Sequence, residues 1–191
     1  MVAVSRRVTR VGTVDSVMPI MQVTIRRART PDVVHIRRLM DMFSGERRVL
    51  SKSTVNLYED IQEFWVAEAD DGDRRTVVGC GALHVLWEDL AEVRTVAVDP
   101  ALQGHGVGHR IVSELLGRAR EVGVRRVFCL TFETDFFGKH GFRPIQGTPV
   151  SPRVYEELLR SYDEGVAEFL DLERVKPNTL GNTRMLVYLE E

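Results

Sequence analysis

A glycine-rich turn between an apolar strand and an amphipathic helix constrains the fold of this chain more than any other feature. The strand ends at Asp99-Pro100, Gly104, Gly106 and Gly108 follow, and the helix begins at once. Glycine permits left-handed backbone conformations and lets a ligand approach the main chain closely. The first amides of a helix are unpaired and carry the positive end of its dipole, so they bind phosphate groups. The sequence therefore predicts a phosphate-binding turn.

Two common phosphate-binding motifs fit this turn badly. A P-loop requires Gly-Lys-Ser/Thr, whereas His109 follows Gly108. A dinucleotide-binding turn follows the first strand of its fold and precedes an acidic residue on the second strand. Here the turn comes after several predicted strands. The glycines alone leave open a flexible turn that binds no ligand.

Hydrophobic periodicity predicts the elements around the turn. Strands are expected at residues 23–26, 64–68, 77–86, 92–98, 127–132 and 185–189, with a hairpin turn at residues 70–73. Thr30 as N-cap and Pro31 at the first helical position predict a helix start. Further helices are expected near residues 54–62, 107–119 and 134–140, and from Pro152 towards Tyr162. This order predicts an α/β fold with a mixed sheet flanked by helices.

Length and composition are typical of one globular domain. We expect residues 22–191 to form it, and residues 1–21 to be a disordered N-terminal extension. The net charge of −2 does not favour a nucleic acid or a membrane surface as partner. Cys80 and Cys129 lie in apolar runs without metal-ligand spacing, which predicts reduced core thiols, no metal and a cytoplasmic protein.

The pattern Gln103-x-x-Gly106-x-Gly108 resembles the acetyl-CoA motif of the GNAT superfamily of N-acetyltransferases, Gln/Arg-x-x-Gly-x-Gly/Ala. The strand in front of it, the long helix behind it and the downstream pair Gly141-Phe142 also match that family. The resemblance covers roughly residues 23–142. It implies the GNAT acyl-CoA N-acyltransferase fold, with acetyl-CoA as co-substrate.

The resemblance also implies which residues contact acetyl-CoA. The turn would hold the pyrophosphate, and the backbone of the preceding strand would pair with the pantetheine arm and polarise the thioester carbonyl. Phe137 stands where many GNAT enzymes have a tyrosine general acid, so the thiolate would leave unassisted or with help from another group. The implied cofactor-binding residues are Val96, Ala97, Val98, Gln103, Gly104, His105, Gly106, Val107, Gly108, Thr131 and Phe137.

Glu92 is the candidate general base, because an ammonium group must lose a proton before it can attack a thioester. It begins the strand that ends at the turn, where partial burial would raise its pKa. This strand also resembles the one that supplies the glutamate base in histone acetyltransferases. The alternatives are a solvated charge or a partner for Arg94. His84 is the second candidate base, although a lone histidine in a strand is more often structural.

A narrower resemblance concerns the short, stand-alone N-acetylglutamate synthases of arginine biosynthesis. It rests on Glu133-Thr134-x-Phe136-Phe137 ahead of Gly141-Phe142, and on Asn182-Thr183-Arg184-Met185-Leu186 near the end of the chain. The implied acceptor is L-glutamate or L-glutamine, and a homodimer is left open. Other acceptors, namely another small amine or a protein N-terminus, are the alternatives within the enzyme class. A non-catalytic CoA-binding module is the alternative outside it.

An amino-acid acceptor carries a carboxylate that needs cationic partners. Lys52, Arg94 and Arg184 are the candidates, with Asn182 as a neutral partner. His84 occupies the position where some related synthases have a substrate-contacting lysine, so that contact differs here. Each of these cations could instead be a solvated surface charge.

Overall fold

The structure, a computed structural model, describes residues 22–44, 52–175 and 181–190. The predicted N-terminal extension, residues 1–21, lies outside these ranges. The strands of the described chain are β1 (Gln22–Arg27), β2 (Phe64–Asp70), β3 (Arg75–Trp87), β4 (Leu90–Val98), β5 (Arg126–Thr131), β6 (Arg143–Pro144) and β7 (Thr183–Tyr188). Its α-helices are α1 (Val33–Ser44), α2 (Thr54–Glu59), α3 (Val107–Glu121), α4 (Thr134–Gly138), α5 (Pro152–Leu158) and α6 (Glu164–Phe169).

The strands form one mixed sheet in the order β1-β2-β3-β4-β5-β7-β6. Neighbouring strands are antiparallel except β4 and β5, which are parallel. The prediction of a mixed sheet flanked by helices is therefore confirmed. In the described part of the chain, every helix is too short or too polar to cross a membrane.

Helices cover both faces of the sheet. On one face, the apolar stripe of α3, which includes Ile111 and Leu115, packs on Val96 and Val98 of β4. On the other face, α1 packs over β2 and β3. The second face also carries α5 and α6, whose Leu158, Val166 and Phe169 pack on Leu90, Phe128 and Leu130. The second face thus carries two groups of helices side by side, α1 with α2 and α5 with α6, with a gap between them.

The strands β4 and β5 pair only at their beginnings. Their register runs from Leu90↔Arg126 to Glu92↔Phe128 and then stops, although β4 continues to Val98. A bulge follows directly, because Ala82 of β3 opposes Arg94 while Cys80 opposes Ala97. Thr95, inside this bulge, has a φ of 56°, which is unusual for a residue other than glycine. A bulge bends and twists its strand, so β4 turns away from β5 and opens a cleft between them.

Several local predictions needed correction. Thr30 is not the N-cap of a helix. A 3-10 turn covers Thr30–Asp32, and the Asp32 carboxylate accepts from the Arg29 amide at 2.7 Å. The helix predicted from Pro152 towards Tyr162 ends at Leu158. Strand β6 was not predicted, because two residues with a proline, which cannot donate to a neighbouring strand, give no strand pattern.

Candidate active site

The glycine turn is held against the end of β4 by side chains. Asp99 Oδ1 accepts from the Ala101 amide at 3.1 Å, and Gln103 Nε2 donates to the Val98 carbonyl at 3.3 Å. Gly104 and Gly106 have φ values of 80° and 79°, so the backbone itself requires glycine at both positions. A Cβ on either would meet no atom within 4 Å. The turn is therefore open on its outer side, where a ligand can approach the main chain.

The turn leads directly into α3, with Gly106 as its N-cap. The first helix amides have no carbonyl partner within the helix, so they are available as donors to a ligand at the turn. Val107 is buried in the core, whereas His105 is exposed and its Nδ1 lies 3.1 Å from the Gln103 carbonyl. A Cβ on Gly108 would lie 3.3 Å from Phe136 Cζ, so this glycine allows α3 to pack closely on α4. The turn thus offers main-chain donors to an anion.

The remaining residues predicted to contact acetyl-CoA are buried. Val96, Ala97 and Val98 point their side chains into the core, which leaves only their backbone edge on the cleft side of β4 available to a ligand. Thr131, at the end of β5, accepts from the Glu133 amide with Oγ1 at 2.8 Å. Phe137 has no exposed surface and packs edge-on against Phe136 and Phe142. The structure therefore places Phe137 in the core, where it cannot touch a ligand in this conformation.

A cavity of about 450 Å³ lies in the gap between the two groups of helices on the second face. Its walls are the end of α2, the strands β3 and β4, and the segment that leads into α6. Four of the predicted site residues meet here. The lining residues are Lys52, Asn56, Asp60, His84, Glu92, Arg94, Thr95, Ser161, Tyr162, Asp163, Glu164 and Gly165.

Glu92 lies in the wall of this cavity, at the last paired position of β4 and β5. It is only 1% exposed, and its Oε2 has no hydrogen-bond partner among the described residues. Burial raises the pKa of this carboxyl above its ordinary value, and the neighbouring charge of Asp163 adds to the rise. A carboxylate with a raised pKa and a free oxygen is suited to accept a proton.

Arg94 is surrounded by carboxylates. Its Nη1 lies 2.7 Å from Asp163 Oδ2 and 3.8 Å from Glu92 Oε2, while its Nη2 lies 3.0 Å from Glu63 Oε2 and 3.6 Å from Asp60 Oδ2. Burial opposes its charge, but the carboxylates of Glu92, Asp163 and Glu63 raise the pKa of Arg94 above its ordinary value. The guanidinium is therefore committed to side chains of the protein.

His84 and Lys52 extend this network along the cavity. His84 lies opposite Glu92 in the β3–β4 register, and its Nδ1 lies 2.6 Å from Glu63 Oε1. Lys52 Nζ lies 2.7 Å from Asp60 Oδ2. An ammonium group has three donors, so Lys52 keeps hydrogen-bonding capacity beyond this ion pair.

Arg184 and Asn182 are not among the residues that line this cavity. Arg184 Nη1 donates to the carbonyl of Phe169 at 2.9 Å, and its Nη2 lies 3.6 Å from Asp171 Oδ2. Its guanidinium thus caps the C-terminal end of α6. The expectation that Arg184 faces the acceptor site does not agree with this geometry, because the side chain is bonded beneath α6.

Sequence reasoning missed a glycine in the cavity wall and the acidic residues that line the cavity or pair with Arg94. Asp60 and Glu63 follow α2 and look like solvated charges in the sequence. Asp163 precedes a short helix, where it reads as an ordinary N-cap. Gly165 carries no signal at all, because its role depends on contact with a strand that lies far away in the chain.

Comparison with known proteins agrees with this geometry. Residues 35–142 match the acetyltransferase (GNAT) family. An amino-acid acetyltransferase of Mycobacterium tuberculosis is 61% identical over 165 residues, which cover 86% of this chain and 94% of that protein. An amino-acid acetyltransferase of Neisseria meningitidis is 32% identical over 137 residues, but this chain spans only 30% of its length.

Solved structures give the same result. Rv2747 from Mycobacterium tuberculosis, in complex with CoA and NLQ, matches with a TM-score of 0.83 at 60% identity, over 87% of this chain and 99% of that one. An N-acetylglutamate synthase from Neisseria gonorrhoeae, complexed with coenzyme A and N-acetyl-glutamate, matches with a TM-score of 0.70 at 24% identity, over 89% of this chain and 36% of that one. The second match concerns the fold alone. These matches agree with the glycine turn and the opened sheet, and they show that the chain belongs to the acetyltransferase (GNAT) family.

Proposed function

We propose that the protein transfers the acetyl group of acetyl-CoA to the α-amino group of L-glutamate or L-glutamine. With L-glutamate this is the reaction of N-acetylglutamate synthases, and it would place a cytoplasmic enzyme at the first step of arginine biosynthesis. The observation that carries the proposal is the buried Glu92 carboxyl, which belongs to the wall of the cavity beside the opened sheet and whose Oε2 accepts no hydrogen bond from the described residues. The 61% identical amino-acid acetyltransferase supports an amino acid as acceptor.

The residues present fit acetyl-CoA. The open turn from Gln103 to Gly108 offers main-chain donors for the pyrophosphate. The backbone edge of Val96–Val98, which lies beyond the last pairing with β5, offers strand-like hydrogen bonds to the pantetheine arm. The bulge at Thr95, which lines the cavity, brings this edge next to the acceptor site. Donor and acceptor would therefore meet where β4 leaves β5.

Glu92 would take the proton from the attacking amine. Acetyl-CoA supplies an activated acyl group, so a neutral amine can attack its carbonyl carbon while the carbon–sulfur bond breaks. An α-ammonium group has no free electron pair until it loses a proton. The raised pKa of Glu92 brings the carboxylate closer in basicity to the amine than a solvated glutamate would be. The carboxylate therefore combines position with suitable basicity.

The cavity charges suit an amino acid. The carboxylates of Glu92 and Glu164 line the cavity and would attract the α-ammonium group. Lys52, with donors left beyond its pair to Asp60, is the best-placed cation for the substrate carboxylate. Arg94, paired with four carboxylates, would hold the wall of the site.

The thiolate would leave without a protein acid at the position of Phe137. This side chain has no ionisable group and is buried. A thiol with an ordinary pKa of about 8.5 is a good leaving group, so its protonation can follow from solvent.

A substrate screen tests the proposal. The purified protein is incubated with acetyl-CoA and each amino acid, a peptide with a free N-terminus or a simple diamine, and the release of thiol is followed. We expect turnover with L-glutamate or L-glutamine, none with the D-enantiomers, and a product acetylated at the α-nitrogen by mass spectrometry. Faster turnover with the peptide or the diamine would contradict the acceptor. No turnover with any amine, together with tight CoA binding, would indicate a non-catalytic module.

A further inference from the structure

The Glu92 carboxylate is covered by the first turn of α6. Glu92 is almost fully buried although it lies in a cavity wall. The atoms above it belong to Gly165, which is itself buried. A Cβ on Gly165 would lie 3.0 Å from Glu92 Cδ and still closer to Oε2, inside any allowed non-bonded distance. Only glycine fits at this position while Glu92 keeps its place.

The backbone conformation does not explain this glycine. Gly165 lies within a helix and is not among the residues with positive φ. Alanine is the better helix former, so helix propensity gives no reason for glycine here. A less favourable helix residue therefore stands where a side chain would strike the carboxylate. Contact with Glu92 is the physical reason for it.

The segment before α6 fixes Gly165 in place. Asp163 caps α6 with Oδ1, which accepts from the Val166 amide at 3.1 Å, while its Oδ2 accepts from Arg94 at 2.7 Å. The Cβ built on Gly165 would also lie 3.0 Å from Asp163 Oδ1. Phe169, at the other end of α6, packs on Phe128 with ring centroids 4.5 Å apart. Since α6 is tied down at both ends, the carboxylate rather than the helix would have to move.

We propose that Gly165 is a positioning residue. Because it has no side chain, it leaves room for the Glu92 carboxylate to stay buried at its place in the cavity wall. This inference rests on the proposed role of Glu92 as the proton acceptor. Displacing a reacting group by about 1 Å can cost a hundredfold in rate. Glycine at position 165 is therefore part of what makes Glu92 an effective base.

The Gly165→Ala variant tests this in two backgrounds. In the wild type, kcat should fall about tenfold to a hundredfold. In Glu92→Gln, which cannot accept the proton, the same change should alter kcat by less than about twofold, since the loss acts through Glu92. The KM for acetyl-CoA should not change. Gly117→Ala in α3, where a Cβ meets no atom within 4 Å, is the matched control and should leave kcat unchanged.

The outcomes separate the two proposals. A normal kcat for Gly165→Ala, or equal losses in both backgrounds, would overturn the positioning role even where Glu92→Gln alone is impaired. A near-normal kcat for Glu92→Gln alone would instead overturn the role of Glu92 as base.

Thermal unfolding supplies a readout that does not need activity. Glu92→Ala removes the carboxylate that the new methyl group would strike. Gly165→Ala should therefore lower the melting temperature of the wild type more than that of Glu92→Ala. Equal shifts in the two backgrounds would mean that Gly165 does not act on Glu92.

Discussion

Asp163 Oδ2 lies 2.7 Å from Nη1 of Arg94, and this ion pair joins the segment before α6 to the strand that carries Glu92. The Arg94 side chain is 6% exposed and that of Asp163 is 25% exposed. The buried Arg94 charge needs a carboxylate partner, because an unpaired buried charge would pay a large desolvation cost. Through this pair Arg94 supports the acceptor wall of the site, and its guanidinium is not a free cation for the substrate.

Asp163→Asn should lower the free energy of unfolding at pH 7. The amide keeps the N-cap but loses the charge, so we expect a loss of about 1–3 kcal/mol, between the values for exposed and fully buried pairs. Urea unfolding measures it. The control is Glu157→Gln, whose exposed pair with Arg160 should contribute little.

The same pair predicts a pH dependence with a definite sign. Although burial works in the other direction, Arg94 holds the pKa of Asp163 below its ordinary value. The contribution of the pair is therefore complete above the unfolded pKa near 3.8 and is lost as the pH falls through the lower folded pKa. The stability difference between wild type and Asp163→Asn should shrink in that acid range. A difference that persists unchanged at the lowest pH would contradict this explanation.

Gly106→Ala should weaken acetyl-CoA binding. Its Cβ would meet empty space in the free protein, but it would point towards the open side of the turn and strain a left-handed backbone. We expect the dissociation constant to rise at least about tenfold by calorimetry. Gly123→Ala is a matched control, because Gly123 also has positive φ and open surroundings but lies past the other end of α3. Equal affinities of the two variants would remove the turn from the binding site.

Arg184→Ala should affect stability rather than substrate affinity. Its guanidinium donates to the Phe169 carbonyl and is only 12% exposed. Losing this bond should cost about 1–3 kcal/mol in unfolding free energy. The KM for the amino acid should stay within about threefold of the wild type, since the side chain does not line the cavity. A tenfold rise in KM with unchanged stability would restore the interpretation of Arg184 as a substrate ligand.

His140 predicts a second pH dependence of stability, which arises from the burial of a histidine and not from an ion pair. Its Nε2 lies 2.8 Å from Nδ1 of His109, and burial followed by the charge of His109 lowers the pKa of His140 to about 4. In the unfolded chain the ring binds a proton near pH 6.5, so stability should fall as the pH decreases from about 6.5 to about 4. His140→Gln should flatten this part of the urea-derived stability curve, whereas His105→Gln, at an exposed ring, should not. Parallel curves for wild type and His140→Gln would contradict the assignment.

The sequence predicts the elements and the turn because their signals are local. Glycines at Gly104 and Gly106, the stripe of α3 and the apolar strands are all visible within short windows. The cavity wall is different, since Asp60, Asp163 and Gly165 acquire their roles only when the chain brings α2 and α6 to β4. Arg184 shows the same limit from the other side. A cation beside a strand gives no sign in the sequence of whether it faces a substrate or caps a helix.

The pH dependence of kcat for Glu92→Gln tests most directly whether Glu92 accepts the proton of the amine. The glutamine keeps the size of the side chain but cannot accept a proton, so kcat near neutral pH should fall about a hundredfold. The deficit should narrow as the pH rises, because more of the amine is already neutral. In the wild type, the rate should fall on the acid side as the pH drops through the raised pKa of Glu92, and the variant should lack this limb. Glu157→Gln, at an exposed acid, is the control and should behave as the wild type. A variant with near-normal kcat at neutral pH and an intact acid limb would contradict the assignment of Glu92 as the proton acceptor.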